Sequence, residues 1–232
     1  MNNQSIKGVP LKLGILGGTF DPIHLGHLRT AEEIGQELGL EKVYLIPSAS
    51  PPHKTSEPVA PFHHRLTMAQ LAVGDSSLLE VLDLEGKRPG FSYSIETLRE
   101  IHRIFSPNPE LYFLLGIDAF LEIKTWKEYK KLFHYAHFVI IERAGFHPRN
   151  LEEFLLSIGL NVRKTKQSGV SGVLSVSSGN TVLLRAPTFM DISSTRLRKW
   201  VADGKSIRFL LPERVRNYIM EKGLYRDYAG HR

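Results

Sequence analysis

Between Leu11 and about Ile141, five short apolar runs alternate with stretches that repeat their apolar residues at helical spacing. Strands are predicted over Lys12 to Leu16, Lys42 to Ile46, Leu78 to Asp83, Leu111 to Leu115 and Phe138 to Ile141. Amphipathic helices are predicted near Leu25 to Leu38, Pro61 to Val73, Ser94 to Phe105 and Phe120 to Phe133. This is the sequence form of a doubly wound parallel α/β sheet, in which ligands sit beyond the carboxyl ends of the strands. Two further helices follow, one opening at Ile192-Ser193-Ser194 and running to about Ala202, the other spanning Pro212 to Lys222. Between core and tail, Lys164 to Asn180 is rich in Ser and Gly and reads as a long loop or small hairpin insertion outside the core.

With 232 residues, 42% of them hydrophobic, the chain can bury the core of one such domain. Residues 1–232 are read as one unit, with a core over about 11–145 and a C-terminal helical extension over about 188–228. No run approaches the roughly 18 to 20 apolar residues a membrane helix needs, and the start MNNQSIKGVPLKLG lacks the apolar centre of a signal peptide. The expectation is a cytoplasmic protein with no membrane partner, and nothing in the sequence signals an oligomeric state. The absence of cysteine removes disulfides, thiolate zinc sites and cysteine nucleophiles together. A net charge of +6 suits either nucleic acid or small phosphates. The basic residues are scattered, apart from a cluster at Lys124 to Lys131, and are not interleaved with aromatics as in a stacking groove. Small-molecule phosphates are therefore the expected partners, and nucleic acid is not.

The first predicted strand empties into Gly17-Gly18-Thr19-Phe20-Asp21-Pro22-Ile23-His24-Leu25-Gly26-His27, followed directly by a helix. Glycines after a strand let backbone N–H groups approach an anion, and the helix start adds its positive dipole end. Neither the GxGxxG dinucleotide fingerprint nor the GK[ST] of a P-loop is present. Two imidazoles beside a phosphate make sense when the attacking group is itself a phosphate. With a second pKa of about 6 it needs no general base, only donors and cations around the reacting centre. His24 and His27 fit as donors, with Gly26 letting the backbone turn so that both rings face one phosphate. Ordinary surface or core histidines are the plain alternative, since His63-His64 and His134 to His137 show that such spacings recur in this chain. A zinc site is disfavoured by the lack of a thiolate ligand and by the glycine-rich context.

The eleven residues Gly17 to His27 resemble the signature of the bacterial nicotinate-nucleotide adenylyltransferases, a family related to the pantetheine-phosphate adenylyltransferases. The resemblance runs from about Lys12 to Tyr225, with Lys164 to Asn180 unaligned. It implies catalysis by His24 and His27, with ATP also held by Gly17, Gly18, Thr19 and Phe20. A second phosphate element of this class has the form Ile-Ser-Ser-Thr-x-x-Arg, similar to Ile192-Ser193-Ser194-Thr195-Arg196-Leu197-Arg198. A Ser/Thr run at a helix start can equally be a plain cap. The resemblance assigns ATP to Ile192, Ser193, Ser194 and an arginine: Arg196, with Arg198 on another helical face as the alternative.

For the mononucleotide, Pro51-Pro52-His53-Lys54 resembles the family's substrate-phosphate loop, implying His53 and Lys54; otherwise Lys54 is a mobile surface residue. Ser92-Tyr93-Ser94 resembles the stretch at the next helix start, where hydroxyls and a dipole suit a carboxylate such as that of nicotinate, or merely form a capping box. Ser94 and Glu96 stand where the family has Thr and Asp. By similarity Gly116 and Asp118 contact ribose or backbone, and Trp126 stacks on the pyridine ring rather than serving the core. Arg143 falls in a turn whose usual proline is Ala144. The whole implies a Rossmann-like nucleotidyltransferase that joins ATP and nicotinate mononucleotide into deamido-NAD and pyrophosphate. Mg²⁺ is expected with ATP, without a dedicated protein metal site. The alternatives are a related adenylyl- or cytidylyltransferase acting on nicotinamide mononucleotide or phosphopantetheine, or a non-catalytic nucleotide- or RNA-binding module. Arg65 is expected to support structure.

Overall fold

The computed structural model describes residues 10–50, 60–105, 107, 109–142, 151–164 and 173–228. In chain order the elements are β1 Lys12–Gly18, α1 Leu25–Glu37, β2 Lys42–Pro47, α2 Phe62–Val73, β3 Leu79–Val81, α3 Ser94–Ile104, β4 Glu110–Gly116 and α4 Ile117–Leu121. They continue with α5 Tyr129–Tyr135, β5 His137–Ile141, α6 Leu151–Ser157, β6 Val162–Lys164, β7 Val173–Val176, β8 Thr181–Arg185, α7 Ser194–Ala202 and α8 Glu213–Lys222. One sheet runs β3-β2-β1-β4-β5-β8-β7-β6. The first six strands in that order pair in parallel, and β7 and β6 close the edge antiparallel.

The central strands are apolar without alternation because both sheet faces are covered. On one face Leu13, Ile15, Ile46 and Phe113 pack with Ile95 and Leu98 of α3 and Phe133 of α5. On the other, Val43, Leu45, Leu114 and Val139 pack with Ile34 of α1, Met68 of α2, Leu197 of α7 and Val215 and Ile219 of α8. The order reverses between β1 and β4, so their carboxyl ends, Gly18 and Gly116, flank the crevice where such sheets bind ligands. No helix among the described residues is long and apolar enough to cross a membrane.

Two expectations change. The helix predicted over Phe120 to Phe133 is broken into α4 and α5, with Trp126 extended and Glu128 in the left-handed region (φ 51°). Packing outweighs periodicity there: Trp126 meets Phe113 edge-on at 6.3 Å, and Arg99 grips both carboxylate oxygens of Glu128 at 3.2 and 2.9 Å. The segment predicted to lie outside the core contributes to it. Leu174 and Val176 of β7 are buried against the α3 side of the sheet, and β6 and β7 extend the sheet itself. Leu174-Ser175-Val176 does carry the two-residue alternation of a half-buried strand, but over too few residues to stand out from the surrounding Ser and Gly.

Candidate active site

The loop after β1 is built from the inside. Phe20 (φ 49°), Asp21, Ile23 and His24 are all buried, and His24 caps α1 with an extended backbone. The rings of His24 and His27 stack with centroids 3.7 Å apart, and Phe20 meets His27 edge-on at 5.2 Å. The His24 N–H donates to His27 Nδ1 at 3.3 Å, so neutral His27 carries its proton on Nε2 as a donor. Gly26 serves this pair by leaving room. It lies inside the first turn of α1, and a Cβ there would come within 3.1 Å of His24 Nδ1. The tight backbone turn expected of Gly26 is not what the site needs. Phe20 forms the floor with a side chain almost wholly enclosed, its ring lying where a Cβ on Gly18 would fall, at 2.9 Å.

The start of α7 lies against this loop. The Ser194 hydroxyl donates to the Pro22 carbonyl at 2.9 Å, while Ser193 caps the helix by accepting from the Arg196 N–H at 3.2 Å. Arg198 is buried, donating to the Asp21 carbonyl at 2.7 Å and the Tyr228 hydroxyl at 3.0 Å. Arg196 is half-exposed, paired with Asp191 Oδ2 at 3.0 Å and lying over the Trp200 ring. The two arginines thus divide: Arg198 braces the fold, and half-exposed Arg196 donates to both the exposed carboxylate and the main-chain carbonyl of Asp191. Ile192 packs against the core just before the cap. Neither α1 nor α7 carries an acidic residue in its own first turn.

Asp21 is the hub that sequence reading did not single out. Its Oδ1 accepts from the Tyr225 hydroxyl at 2.6 Å and the Ala60 N–H at 3.2 Å, and Arg198 Nη1 stands 3.6 Å from its Oδ2. Burial, and then the Asp21 charge, push the Tyr225 phenol well up, so it stays protonated and donating. Only the position of Asp21 inside the signature hinted at this.

On the acceptor side, Ser92 Oγ accepts from the N–H groups of Ala49 and Ser50, each at 3.1 Å, pinning the loop after β2. Tyr93 precedes α3 without a side-chain cap, and Ser94 opens that helix. Lys127 Nζ sits 4.4 Å over the Tyr93 ring and 2.5 Å from Glu96 Oε1. Next to it, half-buried Trp126 packs on Phe113, which with Gly17 and Ser94 lines a cavity of about 30 Å³. Gly116 ends β4 and caps α4, and Asp118 is exposed in that helix's first turn. Thr97 donates to Glu85 Oε1 at 2.7 Å and accepts from Arg88 at 2.6 Å, bracing α3. Ser94 thus lies beside Gly17 of β1, and Trp126 reaches the wall of the same cavity through Phe113. His53, Lys54 and Arg143 lie outside the described residues.

A cytidylyltransferase-like family model matches residues 15–200, and the chain belongs to that family of nucleotidyltransferases. Within it the chain is 42% identical over 217 residues to the probable nicotinate-nucleotide adenylyltransferase of Geotalea daltonii, covering 94% of this chain and 99% of the relative. It is 43% identical over 223 residues to the protein of the same name from Desulfitobacterium hafniense (strain Y51), covering 96% and 100%. The fold matches the Plasmodium falciparum nicotinic acid mononucleotide adenylyltransferase complexed with NaAD, with a TM-score of 0.66 at 22% identity over 93% of this chain and 97% of that one. Its branch of the family is thus that of the nicotinate-nucleotide adenylyltransferases.

Proposed function

We propose that the chain transfers AMP from ATP to nicotinate mononucleotide, yielding deamido-NAD and pyrophosphate, with His24 and His27 acting on the α-phosphate. The observation that carries this reading is the contact between two helix N-termini that have no acidic residue in their first turns, one bearing the stacked imidazoles and the other Arg196. A phosphate oxygen of the mononucleotide attacks the α-phosphorus, and the bond to the bridging oxygen of the β-phosphate breaks. The attacking phosphate is largely ionised at neutral pH, so the protein's task is alignment and charge stabilisation. His27 Nε2–H supplies a donor for an α-phosphate oxygen. Arg196 and the α7 N-terminus hold the β- and γ-phosphates. Trp126 offers its indole to the pyridine ring, and the uncapped start of α3 at Tyr93 and Ser94 receives the carboxylate.

Magnesium fits as a companion of ATP. Among the described residues no group of three or more His, Asp or Glu side chains is gathered to hold a metal, so its ligands would be phosphate oxygens and water. Bound in that way it would offset charge on the departing pyrophosphate.

Pyrophosphate release measured with ATP and a panel of nicotinate mononucleotide, nicotinamide mononucleotide and phosphopantetheine tests the assignment. The highest kcat/KM is expected with nicotinate mononucleotide. Preference for either other acceptor, or RNA binding without pyrophosphate release, overturns it.

A further inference from the structure

Arg65, near the start of α2, carries a charge into the interior at 2% exposure. Its donors are spent on backbone carbonyls from three segments. Nη1 donates to both Thr19 (2.9 Å) and Ser48 (2.6 Å), Nη2 to Ala49 (3.2 Å) and Nε to Ala60 (2.9 Å). Thr19 belongs to the loop that leads to the histidines, whereas Ser48 and Ala49 open the loop that leads to His53 and Lys54. The last ladder bond between these chain segments, from the Ser48 N–H to the Gly18 carbonyl at 2.9 Å, precedes the point where the loops diverge. Beyond it, one guanidinium nitrogen holds a carbonyl of each. Ala60 is held through both main-chain groups, its carbonyl accepting from Arg65 and its N–H donating to Asp21, which ties the same guanidinium to the Asp21 hub.

We propose that Arg65 is a positioning residue that sets the spacing of the ATP loop and the acceptor loop, and so governs in-line alignment of the two phosphates. The inference rests on the reading that these loops hold the two reactants. Each loop has separate support for its own shape: the first through the buried Phe20, Asp21 and Ile23, the second through Ser92. Removing Arg65 therefore leaves each substrate its own binding surface but frees one surface to shift against the other. The planar fork is what spans three segments, and the compact ammonium of a lysine does not reproduce it.

The test uses the full chain with Arg65→Ala and Arg65→Lys, checked for folding by circular dichroism and thermal unfolding. Dissociation constants for ATP alone and nicotinate mononucleotide alone are taken by calorimetry, and kcat by pyrophosphate release. Each dissociation constant is expected to stay within about threefold while kcat falls by about 10²-fold, the scale of an ångström of misalignment. Added guanidinium, kept below denaturing levels, should recover kcat in Arg65→Ala and leave Arg65→Lys unchanged. The proposal is overturned if kcat in a folded variant stays within threefold of the parent, or if its loss is matched by weaker binding of one substrate. Should Arg65→Ala not fold, Arg65→Lys decides by the same criteria; failure of both to fold makes Arg65 a fold determinant and also overturns the proposal. If the parent enzyme prefers a different acceptor, the substrate reading falls, and the kcat comparison is made on that acceptor, where the same fall or its absence decides the role of Arg65.

Discussion

The starts of α1 and α7 lie against each other but are held by different means. At α1, Ile23 and His24 are buried, and the Leu25 N–H donates to the Leu210 carbonyl at 3.0 Å, so the core fixes the His24 ring and His27 stacks on it. At α7, hydrogen bonds from Ser194 to Pro22 and from Arg198 to Asp21 hang a more exposed helix end on that fixed loop. The difference separates two tasks. In the proposed reaction, groups set in place before substrate arrives would serve the transition state, whereas Arg196, held at the surface by Asp191, would serve binding.

The contrast breaks most visibly at His27. His27→Ala should lower kcat by about 10²- to 10³-fold while the KM for ATP moves within about threefold, read from steady-state pyrophosphate release. Similar losses in both parameters would erase the distinction. Arg196→Ala should do the opposite, raising the KM for ATP about tenfold through loss of a charge-assisted contact while kcat stays within about threefold. A kcat collapse there would place Arg196 with the fixed group.

The smallest effect lies at the seam where β5 of the central sheet meets β8 of the C-terminal part. His137 Nδ1 accepts from the Thr181 N–H at 3.0 Å and contacts its hydroxyl at 2.8 Å, an arrangement that requires the neutral ring. Burial holds its pKa below the ordinary 6.5, against the opposing pull of Glu110. The stability it contributes is present above pH 6.5 and is lost as pH falls from there through the depressed folded value, because the unfolded chain takes the proton first. Thermal unfolding between pH 7.5 and 5 should therefore fall more steeply for the parent than for His137→Gln. Parallel curves would remove His137 from the seam's account.

How much of this was legible in the sequence follows from whether the determinants are local. Strands β1, β2, β4 and β5 were, because burial on both faces writes an unbroken apolar run. The histidine loop was, because its glycines, histidines and helix start are contiguous. The division between Arg196 and Arg198 was half legible. Helical spacing put them on different faces, but only the partner Asp21 shows which turns inward. The cluster of Asp21, Arg65, Arg198 and Tyr225 was not legible, since it joins residues up to 204 positions apart and buries charges that a local pattern assigns to the surface. Nor was the α4–α5 break, which depends on Trp126 finding Phe113 and Arg99 finding Glu128.

The convergence of the two helix starts on one triphosphate is tested most directly by a crystal structure of the protein with a non-hydrolysable ATP analogue. The α-phosphate is expected within hydrogen-bond distance of His27 Nε2, with the β- and γ-phosphates against the N–H groups from Ser193 to Arg196. A triphosphate seated away from His27, or one that leaves the start of α7 unengaged, would contradict the account.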